Sequence, residues 1–284
     1  MSGTVKIALV QMRSGRSLTG NVADAERLVR EATRAGATYV QTPENTTVMD
    51  EDRERLRREA GSEEASGALQ AFRALASDLG IWLHVGSMAV LVPGGKLANR
   101  SLLIAPDGAI AARYDKIHMF DVDLPGGETY RESRLFEPGG RAVVADMPWG
   151  RLGLTICYDL RFAALYRTLA QHGAVALTVP AAFTRVTGEA HWQVLLRARA
   201  IETGCYVLAA AQGGRHENGR ETYGHSLIVA PWGEVLAEAG TDPGVITATL
   251  DLAAVSEARG RIPALRHDRE FSLPDAGPTR AAAQ

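Results

Sequence analysis

Arg151-Leu-Gly-Leu-Thr-Ile-Cys157-Tyr-Asp-Leu-Arg161-Phe162 runs from an apolar stretch into a mixed one. Leu152 to Ile156 reads as a buried strand, and Arg161 to His172 as the helix that follows. Cys157 then sits at a strand-to-helix elbow, held rigidly with unpaired backbone N–H groups beside it. Such a thiol suits nucleophilic chemistry. A cysteine there could also be a small core hydrophobe, since unpaired cysteine is among the most buried residue types. The charged neighbours Asp159 and Arg161 favour the first reading, because a packing cysteine does not need them.

Outward from this elbow, helices and strands alternate. Val5 to Met12 has strand period. Asn21 is placed to cap a helix carrying Val22, Ala25, Leu28, Val29 and Ala32, with Gly36 at its end. Thr38 to Thr42 is a short strand leading into Pro43-Glu44-Asn45. Leu69, Phe72, Leu75 and Leu79 mark a second helix closed by Gly80. Strands follow at Ile81 to Gly86, Ser101 to Ala105 and Ala111 to Tyr114. His118 to Gly140 reads as one long loop, rich in Gly, Pro and charge, with Pro125-Gly-Gly127 inside it.

Beyond the elbow come a strand at Ala174 to Val179 and a helix at Glu189 to Thr203. Strands at Tyr206 to Ala211, Ser226 to Ala230 and Val245 to Leu250 precede a helix at Ala253 to Arg259. The alternation predicts an α/β layered fold. No linker-like run divides it, so residues 1–272 read as one domain, followed by an exposed tail over 273–284.

Composition narrows the function. The 284 residues are 46% hydrophobic and 23% charged with net charge −2, ordinary for a soluble globular chain. Arg53 to Arg58 is a mixed-charge helical stretch rather than a basic block, which argues against nucleic acid or an anionic membrane as partner. Only Cys157 and Cys205 occur, too few for a disulfide framework and consistent with a reducing compartment. No secretory signal or membrane-spanning run is legible, so a cytoplasmic location is expected. The histidines lack ligand spacing and no phosphate loop is present, so neither metal nor other cofactor is expected.

A thiol that attacks an unactivated carbonyl needs a base and a cation or N–H donors for the oxyanion. Glu44 follows a short strand, where Pro43 ends the pairing. Lys116, in Arg113-Tyr-Asp-Lys116-Ile-His118, also sits just past a strand. Separately, each could be an ordinary solvated side chain. Together with Cys157 they resemble the Glu-Lys-Cys triad of the carbon–nitrogen hydrolase (nitrilase) superfamily. The motifs are Pro43-Glu44-Asn45, Tyr114-Asp-Lys116-Ile-His118 and Ile156-Cys157-Tyr-Asp-Leu-Arg161-Phe162. Glu132, in Arg131-Glu132-Ser133, is similar to the family's second glutamate. Thr42 departs from the apolar residue the family often carries before Pro-Glu.

The resemblance spans Val5 to about Phe271. It implies a four-layer αββα sandwich, association as a dimer or larger oligomer through helices near the nucleophile, and amide hydrolysis through a cysteine thioester. Glu44 is then the general base, its pKa raised by burial against the pull of Lys116. Lys116 and the Tyr158 N–H hold the oxyanion, and Glu132 offsets Lys116. Thr187-Gly188-Glu-Ala-His191-Trp192, Leu196-Arg-Ala-Arg199, Gln212-Gly-Gly-Arg215-His216 and Tyr223-Gly-His225-Ser226 resemble the branch that cleaves deaminated glutathione, with the omega-amidase branch beside it. Substrates of both branches carry carboxylates, so Arg161, Arg185, His191 and Arg215 are candidate contacts. Of the two readings of Arg161, an ion pair with Asp159 bracing the elbow is preferred over a clamp on a substrate carboxylate, because a residue on the helix behind the nucleophile is well placed to brace it. A Cys-His hydrolase using His118 or His191, a nitrile hydrolase, and an inactive binding module on the same scaffold are the alternatives.

Overall fold

Thr4–Gln11, the first strand (β1), has no solvent face over most of its length. Val5, Ile7 and Leu9 enter one core, while Ala8 and Val10 enter another, because successive strand side chains point to opposite faces. A strand buried on both sides needs a layer on each. The computed structural model, which describes residues 3–50, 52–124 and 127–272, supplies them. The tail expected from Leu273 onward and the dipeptide Pro125-Gly126 lie outside the described residues.

After β1 come α1 (Leu18–Arg34), β2 (Tyr39–Gln41), α2 (Arg53–Ala60), α3 (Gly67–Leu79), β3 (Trp82–Leu91), β4 (Leu97–Ile104) and β5 (Ile110–Asp115). A hairpin, β6 (Asp121–Asp123) and β7 (Thr129–Arg131), and a short 3-10 turn at Glu132–Arg134 occupy what the sequence suggested was an unstructured loop. Then follow β8 (Val143–Met147), β9 (Gly150–Leu154), a 3-10 turn at Cys157–Arg161, α4 (Ala163–Gln171), β10 (Ala174–Thr178) and α5 (Arg185–Thr203). The chain ends through β11 (Tyr206–Ala209), the hairpin β12 (Gly213–Arg215) and β13 (Glu221–Tyr223), β14 (Leu227–Val229), β15 (Val235–Glu238), β16 (Gly244–Asp251), α6 (Ala253–Arg261) and a 3-10 turn at Ala264–Arg266.

The described residues form two six-stranded sheets, ordered β16-β1-β2-β3-β4-β5 and β15-β14-β11-β10-β9-β8. Leu28 and Val29 of α1 and Leu69 and Phe72 of α3 pack on the outer face of the first sheet. Tyr166 and Leu169 of α4 and Trp192 and Leu196 of α5 pack with the second. The inner faces meet, Ile7 and Leu9 sharing a core with Leu154 and Leu208. The architecture is therefore the four-layer αββα sandwich.

Two local expectations are corrected. Ser17, not Asn21, caps α1; its hydroxyl accepts from the Gly20 N–H. Asn21 is buried in the first turn, where its amide bonds Gly15 and Thr47 and so ties the helix start to the loop after β2. The helix after Cys157 begins at Ala163 rather than Arg161, because a 3-10 turn intervenes. Among the described residues, no helix is long and apolar enough to cross a membrane.

Candidate active site

Each of the three triad candidates leaves the end of a strand. Glu44 stands three residues past Gln41, the last residue of β2; Lys116 follows Asp115 of β5; Cys157 stands three past Leu154 of β9. The sandwich brings these ends together, and the three side chains line one cavity of about 250 Å3.

The Glu44 turn is braced from beneath. Thr42 Oγ1 lies 2.7 Å from Thr46 Oγ1, and the Gly86 N–H donates to Thr42 Oγ1 at 3.0 Å. Thr42 therefore stabilises the turn that presents the glutamate. A Cβ at Gly86 would stand 2.1 Å from the Thr42 carbonyl oxygen and 2.6 Å from that of Pro43, so only glycine allows this approach. Gln212, from the motif Gln212-Gly-Gly-Arg215-His216, donates to the Glu44 carbonyl at 2.9 Å and to Ser14 Oγ at 2.7 Å. His216 is buried between the Ser14 carbonyl and Thr222 Oγ1. Both motif residues hold loops around the site.

Glu44 is 3% exposed and Lys116 2%. Lys116 Nζ donates to Glu44 Oε1 at 2.9 Å and to Glu132 Oε2 at 2.8 Å. Asn99 Nδ2 reaches the same two carboxylates, at 2.9 and 3.2 Å. Glu44 Oε2 accepts from the Ala182 N–H at 2.9 Å, and Glu132 Oε2 from the Phe120 N–H at 2.7 Å. One buried cation between two carboxylates satisfies the requirement that interior charges be paired and hydrogen-bonded.

These contacts decide the charge states. Burial pushes the Glu44 carboxyl up, but the Lys116 charge and a hydrogen bond with Cys157 outweigh it and hold the carboxyl below its ordinary range. The sequence-based expectation of a raised Glu44 pKa is thus reversed, because Lys116 lies in direct contact rather than nearby. Burial also acts against the Lys116 ammonium, yet Glu132 and Glu44 raise its pKa well above the ordinary lysine value. Burial, followed by the Glu44 charge, pushes the Cys157 thiol well up. The resting site therefore holds an ionised glutamate, an ammonium and a neutral thiol.

Cys157 has φ of 49°, in the left-handed region that non-glycine residues rarely occupy. Its N–H bonds the Pro180 carbonyl at 2.9 Å, which fixes the elbow against the end of β10. The Tyr158 N–H lies in the first turn of the 3-10 segment, where backbone donors lack intrahelical acceptors.

Asp159 does not pair with Arg161. Fully buried, it accepts from Tyr114 Oη at 2.6 Å, the Ile156 N–H at 2.9 Å and the His118 N–H at 3.1 Å, and lies 2.7 Å from His118 Nδ1. Arg161 turns outward instead, 3.3 Å from His191 Nδ1 and over the Tyr158 and Phe183 rings.

The four candidate substrate contacts do not line the cavity. Arg161 and His191 are engaged with each other at its flank. Arg185 forms ion pairs with Glu189 and Glu221, and Arg215 is exposed on β12. Glu44 lines the cavity, whereas neither His118 nor His191 does. Arg131 and Arg220 do line the cavity. Neither was singled out from sequence, since both sit on hairpins whose pairing brings them inward. Among the described residues no group of three or more His, Cys, Asp or Glu is placed to hold a metal ion.

The geometry fits what the chain is similar to. The carbon-nitrogen hydrolase family model matches residues 6–260. Over 269 residues the chain is 41% identical to the deaminated glutathione amidase of Yersinia enterocolitica, covering 94% of this chain and 93% of that one. It is 37% identical over 270 residues to the omega-amidase NIT2 of Homo sapiens, covering 93% and 95%. Among solved structures, the C. elegans NitFhit protein superposes with a TM-score of 0.88 at 37% identity, over 94% of this chain and 66% of that chain. Fold, cavity and kinship agree: the chain belongs to the carbon–nitrogen hydrolase (nitrilase) superfamily, on the branch of the deaminated glutathione and omega amidases.

Proposed function

We propose that this chain hydrolyses the amide of a carboxylate-bearing 2-oxo acid through a thioester on Cys157, with deaminated glutathione as the substrate. The observation that carries the chemistry is the convergence of Glu44, Lys116 and Cys157 in one cavity, with Glu132 on the far side of Lys116. The name carried by the Yersinia enterocolitica relative supports the substrate.

Glu44, ionised at rest, accepts the Cys157 proton as the sulfur bonds to the amide carbon. The oxyanion is held by Lys116 Nζ and the Tyr158 N–H. The tetrahedral adduct collapses, the C–N bond breaks, and the proton on Glu44 passes to the departing nitrogen. Glu44 next takes a proton from water, whose oxygen attacks the thioester carbon. The C–S bond breaks, the proton returns to sulfur, and the acid leaves. With deaminated glutathione the products are 2-oxoglutarate and cysteinylglycine. Glu132 bonds the Lys116 ammonium throughout and limits its pull on Glu44.

The human omega-amidase relative favours a second substrate, 2-oxoglutaramate, which loses ammonia by the same steps. Association as a dimer or larger is part of the same reading, supported by the exposed apolar side chains Val194 and Ile201 on α5.

The decisive experiment measures 2-oxoglutarate released from deaminated glutathione and, separately, from 2-oxoglutaramate, against a Cys157→Ala control. Preference for the first supports the proposal and preference for the second moves it to the omega-amidase reaction. Equal release by the Cys157→Ala variant would sink the mechanism.

A further inference from the structure

The cavity holds a cation that the hydrolytic steps do not use. Three positively charged side chains line it: Lys116, Arg131 and Arg220. Lys116 is paired with both Glu44 and Glu132. Arg131 is paired with Asp123 at 2.7 Å and donates to the carbonyls of Val122 and Tyr130. Arg220 differs. No carboxylate of the described residues lies within ion-pair distance of it. Among the described residues its one side-chain hydrogen bond is from Nη2 to the Ala182 carbonyl at 2.6 Å, and its guanidinium lies over the Tyr130 ring at 5.1 Å.

Two anchors therefore fix this guanidinium and leave part of its fork unused. Among the described residues, the buried Nε has no acceptor and neither has Nη1. A buried donor left unpaired is destabilising, and planar N–H pairs on arginine match carboxylate geometry. The position also bears on the chemistry. Ala182 donates its N–H to Glu44 Oε2 and accepts Arg220 through its carbonyl. One residue thus spaces the general base from the arginine.

Resting on the amidase reading above, we propose that Arg220 is the specificity-determining residue that binds the carboxylate of the substrate's acyl half, the 2-oxo acid that stays on Cys157 as thioester. Asp50, Glu44 and Glu132 are the cavity's acids. Glu44 and Glu132 share Lys116, with the Arg220 charge acting on Glu44 from beyond ion-pair distance, and Arg16 and Arg55 approach Asp50 at 3.7 and 3.4 Å. Arg220 is thus the lining cation that, among the described residues, has no direct carboxylate partner and keeps donors available to an incoming anion. Because deaminated glutathione and 2-oxoglutaramate share this acyl half, the assignment holds for either.

The test uses Cys157 alkylation by iodoacetamide, with 2-oxoglutarate as protecting ligand, and reads the ratio of rates without and with ligand. In the native protein 2-oxoglutarate slows alkylation. In Arg220→Met the 2-oxoglutarate concentration needed for protection rises about 10- to 100-fold, the equivalent of a lost charge-assisted bond. Arg220→Lys recovers part of it. Steady-state kinetics on 2-oxoglutaramate should place the Arg220→Met loss in KM rather than kcat. Equal protection in Arg220→Met and native protein overturns the proposal, as does an absence of protection in the native protein or a loss confined to kcat. Native protein that is protected yet hydrolyses neither amide would leave the Arg220 site standing and remove the reaction assigned to it.

Discussion

Tyr114 donates a 2.6 Å hydrogen bond to Asp159 across the meeting of the two sheets. Tyr114 is on β5, two residues before Lys116, and Asp159 is two residues after Cys157. The pair therefore locks the strand that carries Lys116 to the elbow that carries Cys157. His118, which follows Lys116 closely, bonds the same carboxylate and stacks on Phe162 with ring centroids 3.4 Å apart.

Tyr114→Phe keeps the ring and removes the donor, leaving the buried Asp159 carboxylate one partner short. Stability should fall by roughly 1.5–3 kcal/mol, as for other hydrogen bonds to buried charges. Turnover should fall further than the folded fraction accounts for, because Lys116 and Cys157 lose their shared register. Urea unfolding and kcat on the same preparation separate the two effects; unchanged kcat would show that the lock is not needed.

Lys116→Ala should lower kcat on the order of 10²- to 10³-fold, the usual loss for one oxyanion donor. It also removes the cation between Glu44 and Glu132, and breaking such a buried pair typically costs about 3–5 kcal/mol. Thermal unfolding should therefore shift down with the activity. A variant with native turnover would remove Lys116 from the reaction.

In the proposed mechanism the acid limb of kcat/KM reports whether Glu44 is ionised. Lys116 holds its pKa below the ordinary carboxylate range, so activity should persist through mild acid and fall only below the range in which an ordinary glutamate titrates. In the residual activity of Lys116→Ala, the largest opposition to burial is gone and the limb should move to higher pH. A limb that stays in place would point to a different base.

His84 should make the fold acid-sensitive. Burial pushes its imidazole down to about 3 from 6.5, and it lies between Tyr39 Oη at 2.9 Å and Ser101 Oγ at 2.5 Å. The unfolded chain takes up this proton first, so the stabilisation is whole above pH 6.5 and is lost as pH falls toward 3. Between pH 7 and 5 the loss is about 2 kcal/mol. Urea midpoints for native protein and His84→Gln should converge as pH drops; parallel curves would contradict it.

Gly86→Ala should abolish activity even where some protein folds. The added Cβ falls on the Thr42 and Pro43 carbonyls, so the turn bearing Glu44 must move. Circular dichroism beside kcat would reveal the outcome, and a fully active variant would refute the close packing.

The sequence by itself determined a good deal. Helical and strand periodicities marked most elements, because burial of one face leaves a repeating apolar trace. The ordered motifs around Glu44, Lys116, Glu132 and Cys157 identified the superfamily, because each is local to a strand end and its turn. What lay beyond reach was relational. That Lys116 touches both Glu44 and Glu132, and so reverses the expected direction of the Glu44 pKa, depends on distances between loops far apart in the chain. Asp159 and Arg161 sit two positions apart, yet the carboxylate turns inward to Tyr114 and the guanidinium outward to His191. Arg220 carries no local signature and enters the cavity because the β12–β13 hairpin folds it against Ala182 and Tyr130. Local sequence records which groups are made available; long-range packing decides which of them meet, because charge and hydrogen-bond energies depend on separation and burial rather than on order along the chain.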